Sequence, residues 1–131
     1  DMDFYEVRYD DKAESELEFC KKMYKNHAIN SKNMNTVKSV ILDISGGGIR
    51  FSLSTPLEEG TYFMAQFSLA LEECTQQFNI VCKVINCTQS LDYADRYFAR
   101  SKFIFDRMTE REKIVRFVFE EERRIRRREM E

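Results

Sequence analysis

The chain predicts an all-β domain finished by one C-terminal helix, and three observations carry that expectation. Much of the segment from residue 36 to 105 alternates apolar and polar side chains with a period of two. The segment after residue 109 changes to a helical period, and the sparse turn formers, 4 Gly and 1 Pro, fall between the alternating runs.

Taken in order, ELEFCKKMYK around Leu17 to Tyr24 is the weakest strand candidate, which leaves residues 1–16 as a lead-in and residues 17–131 as the domain. TVKSVILDIS, Thr36 to Ser45, is rich in β-branched residues, and Val40, Leu42 and Ile44 alternate against Ile41, Asp43 and Ser45. After Gly46-Gly47-Gly48, IRFSLS sets Ile49, Phe51 and Leu53 against Arg50, Ser52 and Ser54, so the glycines join a hairpin. Thr55 to Gly60 is a turn by composition, and Phe63, Ala65, Phe67 and Leu69 then share one face. Phe78, Ile80, Cys82 and Val84 share a face in the next run, as do Tyr97, Ala99, Ser101, Phe103 and Phe105 after a polar connection. Six strands at these intervals suit an antiparallel barrel or a sandwich.

Thr109-Glu110-Arg111-Glu112 has the form of a capping box, so a helix is expected from about residue 109. Ile114, Val115, Val118, Phe119 and Ile125, with Phe117 beside them, form a stripe able to cover one open end or face of the β structure. Arg123, Arg124, Arg126, Arg127 and Arg128 are interleaved with glutamates, and Glu120 and Glu122 stand four residues before Arg124 and Arg126. That order favours helix ion pairs of about 0.2–0.5 kcal/mol each, so the tail reads as a charge-mixed helix with some capacity for an anionic partner.

Composition narrows the functional classes. The 131 residues suit one domain, and 43% apolar content with 11 Phe is enough for a core. A formal net charge of -2 argues against DNA or RNA binding through bulk positive charge. His27 is the single histidine, which excludes by count a two-imidazole catalytic site or a two-His zinc site. His27 itself falls in the polar stretch KNHAINSKN with no acid or nucleophile nearby, so no catalytic residue and no metal is expected, and the protein reads as a non-enzyme. The four cysteines, Cys20, Cys74, Cys82 and Cys87, lack C-x-x-C spacing and read as buried reduced thiols of a cytoplasmic protein. No apolar run reaches membrane-spanning length and no signal pattern opens the chain, so a soluble, non-exported protein is expected.

The chemistry concentrates in Asp43-Ile44-Ser45-Gly46-Gly47-Gly48. Asp43 and Ser45 project from the same strand face where the chain turns. A carboxylate accepts two hydrogen bonds from a guanine edge, a hydroxyl donates to phosphate, and glycine amides can approach phosphate oxygens closely. The same residues could instead satisfy backbone donors within the hairpin, and the spacing leaves both roles open.

This D-x-S-x-x-G entering an apolar strand, followed by further strands and a terminal helix, resembles the PilZ domain over nearly the whole chain. The resemblance implies a six-stranded antiparallel barrel with a C-terminal α-helix and the bacterial second messenger cyclic di-GMP as ligand, with no other cofactor. Asp43, Ser45 and Gly48 fill the defining positions of the family's second motif, and Gly46 and Gly47 lie between them. The family's R-x-x-x-R motif has its nearest counterpart in Arg8-Tyr9-Asp10-Asp11-Lys12, where lysine replaces the second arginine and loses its bidentate fork. An alternative register on Phe4-Tyr5-Glu6-Val7 places Met2 and Glu6 at the two positions. The resemblance thus implies ligand binding by Arg8, Lys12, Asp43, Ser45, Gly46, Gly47 and Gly48; if Arg8 and Lys12 do not form the clamp, Arg50 or the terminal arginines are the next candidates.

DISGGGIRF and TEREKIVRFVFEEER are most similar to PilZ domains of flagellar-brake proteins. The expected function is therefore a cyclic di-GMP effector that transmits messenger level to a protein partner in motility control, the flagellar motor or a second copy of the chain being candidate partners. The alternative is a PilZ domain that no longer binds nucleotide and acts as a protein-interaction module.

Overall fold

The computed structural model describes residues 1–130. Six strands form a closed antiparallel barrel: β1 (Met2–Val7), β2 (Val37–Ile44), β3 (Gly48–Leu53), β4 (Tyr62–Ala70), β5 (Thr75–Gln89) and β6 (Tyr97–Ile104). The order around the barrel is β1-β2-β3-β6-β5-β4. Three helices accompany it, α1 (Glu16–Lys25), α2 (His27–Asn33) and α3 (Met108–Met130). The all-β class, the barrel and the terminal helix agree with the expectation.

The first strand does not. Leu17 to Tyr24, expected as a strand, lies in α1, and the sixth strand is Met2–Val7, inside the segment expected to be a lead-in. Ser15 caps α1 by accepting from the Glu18 amide at 3.3 Å, and Glu16, Glu18, Lys22 and Lys25 are placed to suit the helix dipole. Phe19, Cys20 and Met23 supply a buried stripe at helical spacing. They pack on the outer surface of the barrel against Tyr5, Tyr62, Met64 and Val81. The alternation that marks β1 is short, and Tyr5 breaks it because α1 buries the outward face that would otherwise meet water. His27, expected in a loop, is in α2, where its Nδ1 lies 2.6 Å from the Tyr5 hydroxyl.

The barrel interior follows the period-two reading of the later strands. Phe51, Phe63, Ala65, Phe67, Phe78, Ile80, Cys82, Val84, Ala99 and Phe103 point inward. Phe4 meets Phe63 and Phe51 at ring-centroid distances of 5.2 and 5.8 Å, and Phe67 stacks on Phe78 at 5.4 Å. Ile114 of α3 is fully buried in the same core, so the helix covers one end of the barrel.

α3 begins at Met108, one residue before the expected start, which places Thr109 within the first turn instead of at the cap. Glu120 is buried, and instead of pairing with Arg124 it accepts from Arg116 Nε at 3.0 Å and from the Glu72 amide at 3.1 Å. The second bond ties α3 to the β4–β5 turn. Arg126 does pair with Glu122, at 3.9 Å. All four cysteines are free, with Cys20 and Cys82 buried. Cys74, expected to be buried, is exposed because it sits in the β4–β5 turn. Burial pushes the Cys20 thiol up to about 11 and the Cys82 thiol higher still.

Two predictions test this architecture. Phe67→Ala should destabilise the domain by about 3–5 kcal/mol in chemical denaturation, since the ring fills the interior and its loss leaves a cavity. The Tyr62 hydrogen bond, helped by Lys83 at 3.3 Å, holds the Glu16 carboxyl below its ordinary range. Above that range the folded state binds no more protons than the unfolded chain, and α1 docking has its full strength. As pH falls through the folded-state value the contribution is lost. Glu16→Gln should therefore flatten the acid limb of a stability-against-pH curve, and a limb identical to that of the parent would count against this bond.

Candidate functional site

The D-x-S-G-G-G segment spans the end of β2, the turn at Ser45 to Gly47 and the start of β3, and a bulge decides how it presents its side chains. In the ladder Ile41 pairs with Phe51 and Asp43 with Arg50, so Leu42 is the extra residue. Beyond it the parity of β2 reverses. Ile41 and Ile44 pack against the core while Asp43 faces out, whereas simple alternation sets Ile44 with Val40 and Leu42. A second register shift lies between Val84 and Asn86 in β5 and leaves Ile85 exposed.

Between these two bulges runs a cross-strand row. Asp43 is opposite Arg50, Arg50 is opposite Arg100, and Arg100 is opposite Asn86. One step along, Gly48 is opposite Lys102, which is itself opposite Lys83. Asp43, Ser45, Gly47, Gly48, Arg50, Ile85, Arg100 and Lys102 line a shallow depression of about 250 Å³. Like charges placed directly opposite on neighbouring strands destabilise a sheet. Among the described residues, Arg50, Arg100 and Lys102 have no carboxylate within ion-pair distance, and Asp43 has no hydrogen-bond or ion-pair partner. The depression therefore offers three cationic groups and one free acceptor on a rigid floor.

Ser45 is occupied by the turn itself. Its Oγ accepts from the Gly47 and Gly48 amides at 3.2 and 3.3 Å and lies 3.4 Å from the Gly48 carbonyl. The three glycines answer to different constraints. A Cβ on Gly48 would lie 2.0 Å from the Ser101 carbonyl oxygen, so the β3–β6 contact admits no side chain there. One on Gly46 would meet Val115 Cγ2 of α3 at 2.8 Å, so Gly46 is a packing position and does not line the depression. Gly47 has only Ser45 Oγ nearby, at 3.9 Å.

Arg8 and Lys12 are exposed and stand apart from this row. Arg8 follows Val7, which pairs with Tyr62, so its neighbour on β4 is Thr61. From Thr61 the row runs through Val84, whose amide donates to the Thr61 carbonyl at 2.8 Å, and through Ser101 to Ile49. Four strand spacings of about 4.8 Å put Arg8 roughly 19 Å of sheet away from Ile49, and Lys12 is four residues further along the chain in a turn. Arg100 and Lys102 were missed in the sequence because each reads only as the outward half of an alternating strand. Their pairing opposite Arg50 and Gly48 is a tertiary fact.

The hairpin yields a paired prediction. Gly48→Ala should prevent native folding or cost several kcal/mol, because the neighbour is backbone and cannot rotate away. Gly47→Ala should stay within about 1 kcal/mol of the parent, measured by thermal unfolding.

In the comparisons with known proteins, the PilZ domain model matches residues 24–120. No curated protein and no solved structure gives a significant match. The matched span takes in β2 through most of α3, the Gly-rich hairpin included, and leaves out β1 and the segment carrying Arg8 and Lys12. With a closed six-stranded barrel, a C-terminal helix and Asp43, Ser45 and Gly48 in place on the β2–β3 turn, the chain belongs to the PilZ domain family, a family of cyclic di-GMP-binding effector domains and not of catalysts.

Proposed function

We infer that this protein binds cyclic di-GMP across the β2–β3 hairpin and relays its level to a protein partner. The observation that carries the reading is the outward row Asp43, Arg50 and Arg100, in which an unpaired carboxylate adjoins two opposed, unneutralised guanidinium groups. Asp43 accepts from a guanine edge. Arg50, Arg100 and Lys102 hold phosphate and relieve their mutual repulsion in doing so, and Ile85 with the guanidinium planes gives a base a surface to stack on. The depression is smaller than an enclosed small-molecule site, so a dinucleotide lies over it with one face to solvent.

The reading makes the barrel strands, and not the lead-in, the source of the cations. Arg8 and Lys12 supply the family's phosphate clamp only if the chain after β1 leaves its place and crosses the barrel. Motility control enters the proposal through the similarity of DISGGGIRF and the α3 onset to flagellar-brake domains, and a cytoplasmic location through the ligand. Among the described residues no helix is long and apolar enough to cross a membrane.

Titration calorimetry with cyclic di-GMP tests the proposal. The intact chain should bind, with affinity falling as salt rises because phosphate contacts at an open surface are screened. Asp43→Ala should weaken binding by about 5- to 150-fold, the equivalent of 1–3 kcal/mol for leaving the guanine donors unpaired. Arg100→Ala should weaken it by about 10-fold or more, and Arg8→Ala should leave it unchanged. Loss of binding in Arg8→Ala with Arg100→Ala unaffected would return the clamp to the lead-in. A second reading, an interaction module without nucleotide, is favoured by the closed hydrogen-bond circuit of Ser45 and the distance of Arg8. Absence of binding at low salt would overturn the nucleotide reading and leave this one standing.

A further inference from the structure

α3 carries two different faces. Ile114 and Phe117 turn toward the barrel. About 80–160° around the helix from Ile114, Met108, Glu112, Val115, Phe119, Glu122 and Arg126 recur at alternating intervals of four and three residues, the spacing of a helix–helix seam. At about 100° per residue, Phe119 lies roughly 140° around the helix from Ile114. An open groove of about 600 Å³ runs along this face, lined by α3 residues alone, with Val115 and Phe119 among them. Met108, Phe119 and Met130 are 61%, 57% and 89% exposed, a large apolar outlay for a helix otherwise crowded with charge.

The order of residues on this face is self-complementary. Seven residues before Phe119 stands Glu112, and seven after it Arg126; eleven before stands Met108, and eleven after it Met130. A second α3 laid antiparallel and centred on Phe119 brings Phe119 against Phe119, each Glu112 against the other copy's Arg126, and each Met108 against the other copy's Met130. Such an arrangement is isologous, so every favourable contact except the central one occurs twice. Glu112 has no ion-pair partner among the described residues, and Arg126 has only the long contact to Glu122 at 3.9 Å. A parallel pairing places like charges together along the same face.

We propose that the domain self-associates as a two-fold dimer through the outer face of α3, in an antiparallel helix pair centred on Phe119. The occupant of the groove is α3 of a second copy, chosen by its charge order and by the match of apolar residues at equal distances on either side of Phe119. The dimer seam adjoins the hairpin, since Val115 also packs on Gly46.

Sedimentation velocity and light scattering on the full chain over a concentration series decide the matter. The expected result is a monomer–dimer equilibrium. Phe119→Glu should abolish the dimer, and circular dichroism should confirm that this exposed substitution leaves the fold intact. Glu112→Arg and Arg126→Glu should each raise the dimer Kd about tenfold or more, because each creates two like-charge contacts, and the double charge swap should restore it. A chain that stays monomeric at the highest attainable concentration overturns the proposal. So does a dimer indifferent to Phe119→Glu, or single charge variants that the double swap fails to rescue.

Discussion

Closure of the barrel is the constraint on which the rest of the structure depends, and β1 is the strand that achieves it. Met2 to Phe4 pair with β2 while Met2 to Val7 pair with β4, so one short strand joins the two free edges of a five-stranded sheet. Closure removes exposed edges and creates an interior narrow enough for the rings of Phe4, Phe51 and Phe63 to fill. It also forces every second residue outward onto a convex surface. The charged rows of β3 and β6 are a consequence of filling the inside with phenylalanine.

A small closed barrel must bend its strands sharply, and bulges are the usual means. Here the extra residues are Leu42 and Ile85, and the candidate site lies between them. The bulge at Leu42 turns Asp43 away from the core and keeps Ile44 within it. The same device that allows closure therefore supplies the carboxylate. Gly48 completes the arrangement by letting β3 approach the Ser101 carbonyl, which fixes the distance of Arg50 from Arg100 and of the hairpin from Lys102.

α3 is the element through which the site meets the rest of the molecule. Ile114 anchors it in the core, Glu120 bonds it to the β4–β5 turn, and Val115 rests on Gly46 of the hairpin. Its remaining face carries exposed Phe119 beside charged residues. A ligand that displaced the hairpin would act on Val115 first, because the contact leaves no room for a single methyl group at Gly46. Burial of Glu120 makes the helix a poor candidate for sliding, since a shift would strand a carboxylate among apolar groups.

Local periodicity was enough to specify the later strands, because in a barrel with a dry interior the inward set at Phe63 to Leu69 and Phe78 to Val84 must be apolar and the outward set need not be. The change of period after residue 109 marked α3, and three adjacent glycines beside Asp43 and Ser45 marked the hairpin. The sequence by itself thus determined the class, the terminal helix and the hairpin half of the candidate site. Tertiary structure decided the rest. Met2–Val7 is a strand because two distant edges need a partner, and Leu17–Tyr24 is a helix because Tyr5, Tyr62 and Met64 offer an apolar patch for it to cover. Neither partner is visible within a local window. The orientation of Asp43 depends on a bulge that no local pattern announces, and the grouping of Arg50, Arg100 and Lys102 depends on strand register. Residues fifty apart became neighbours through hydrogen-bonded pairing, which long-range geometry fixes and composition does not.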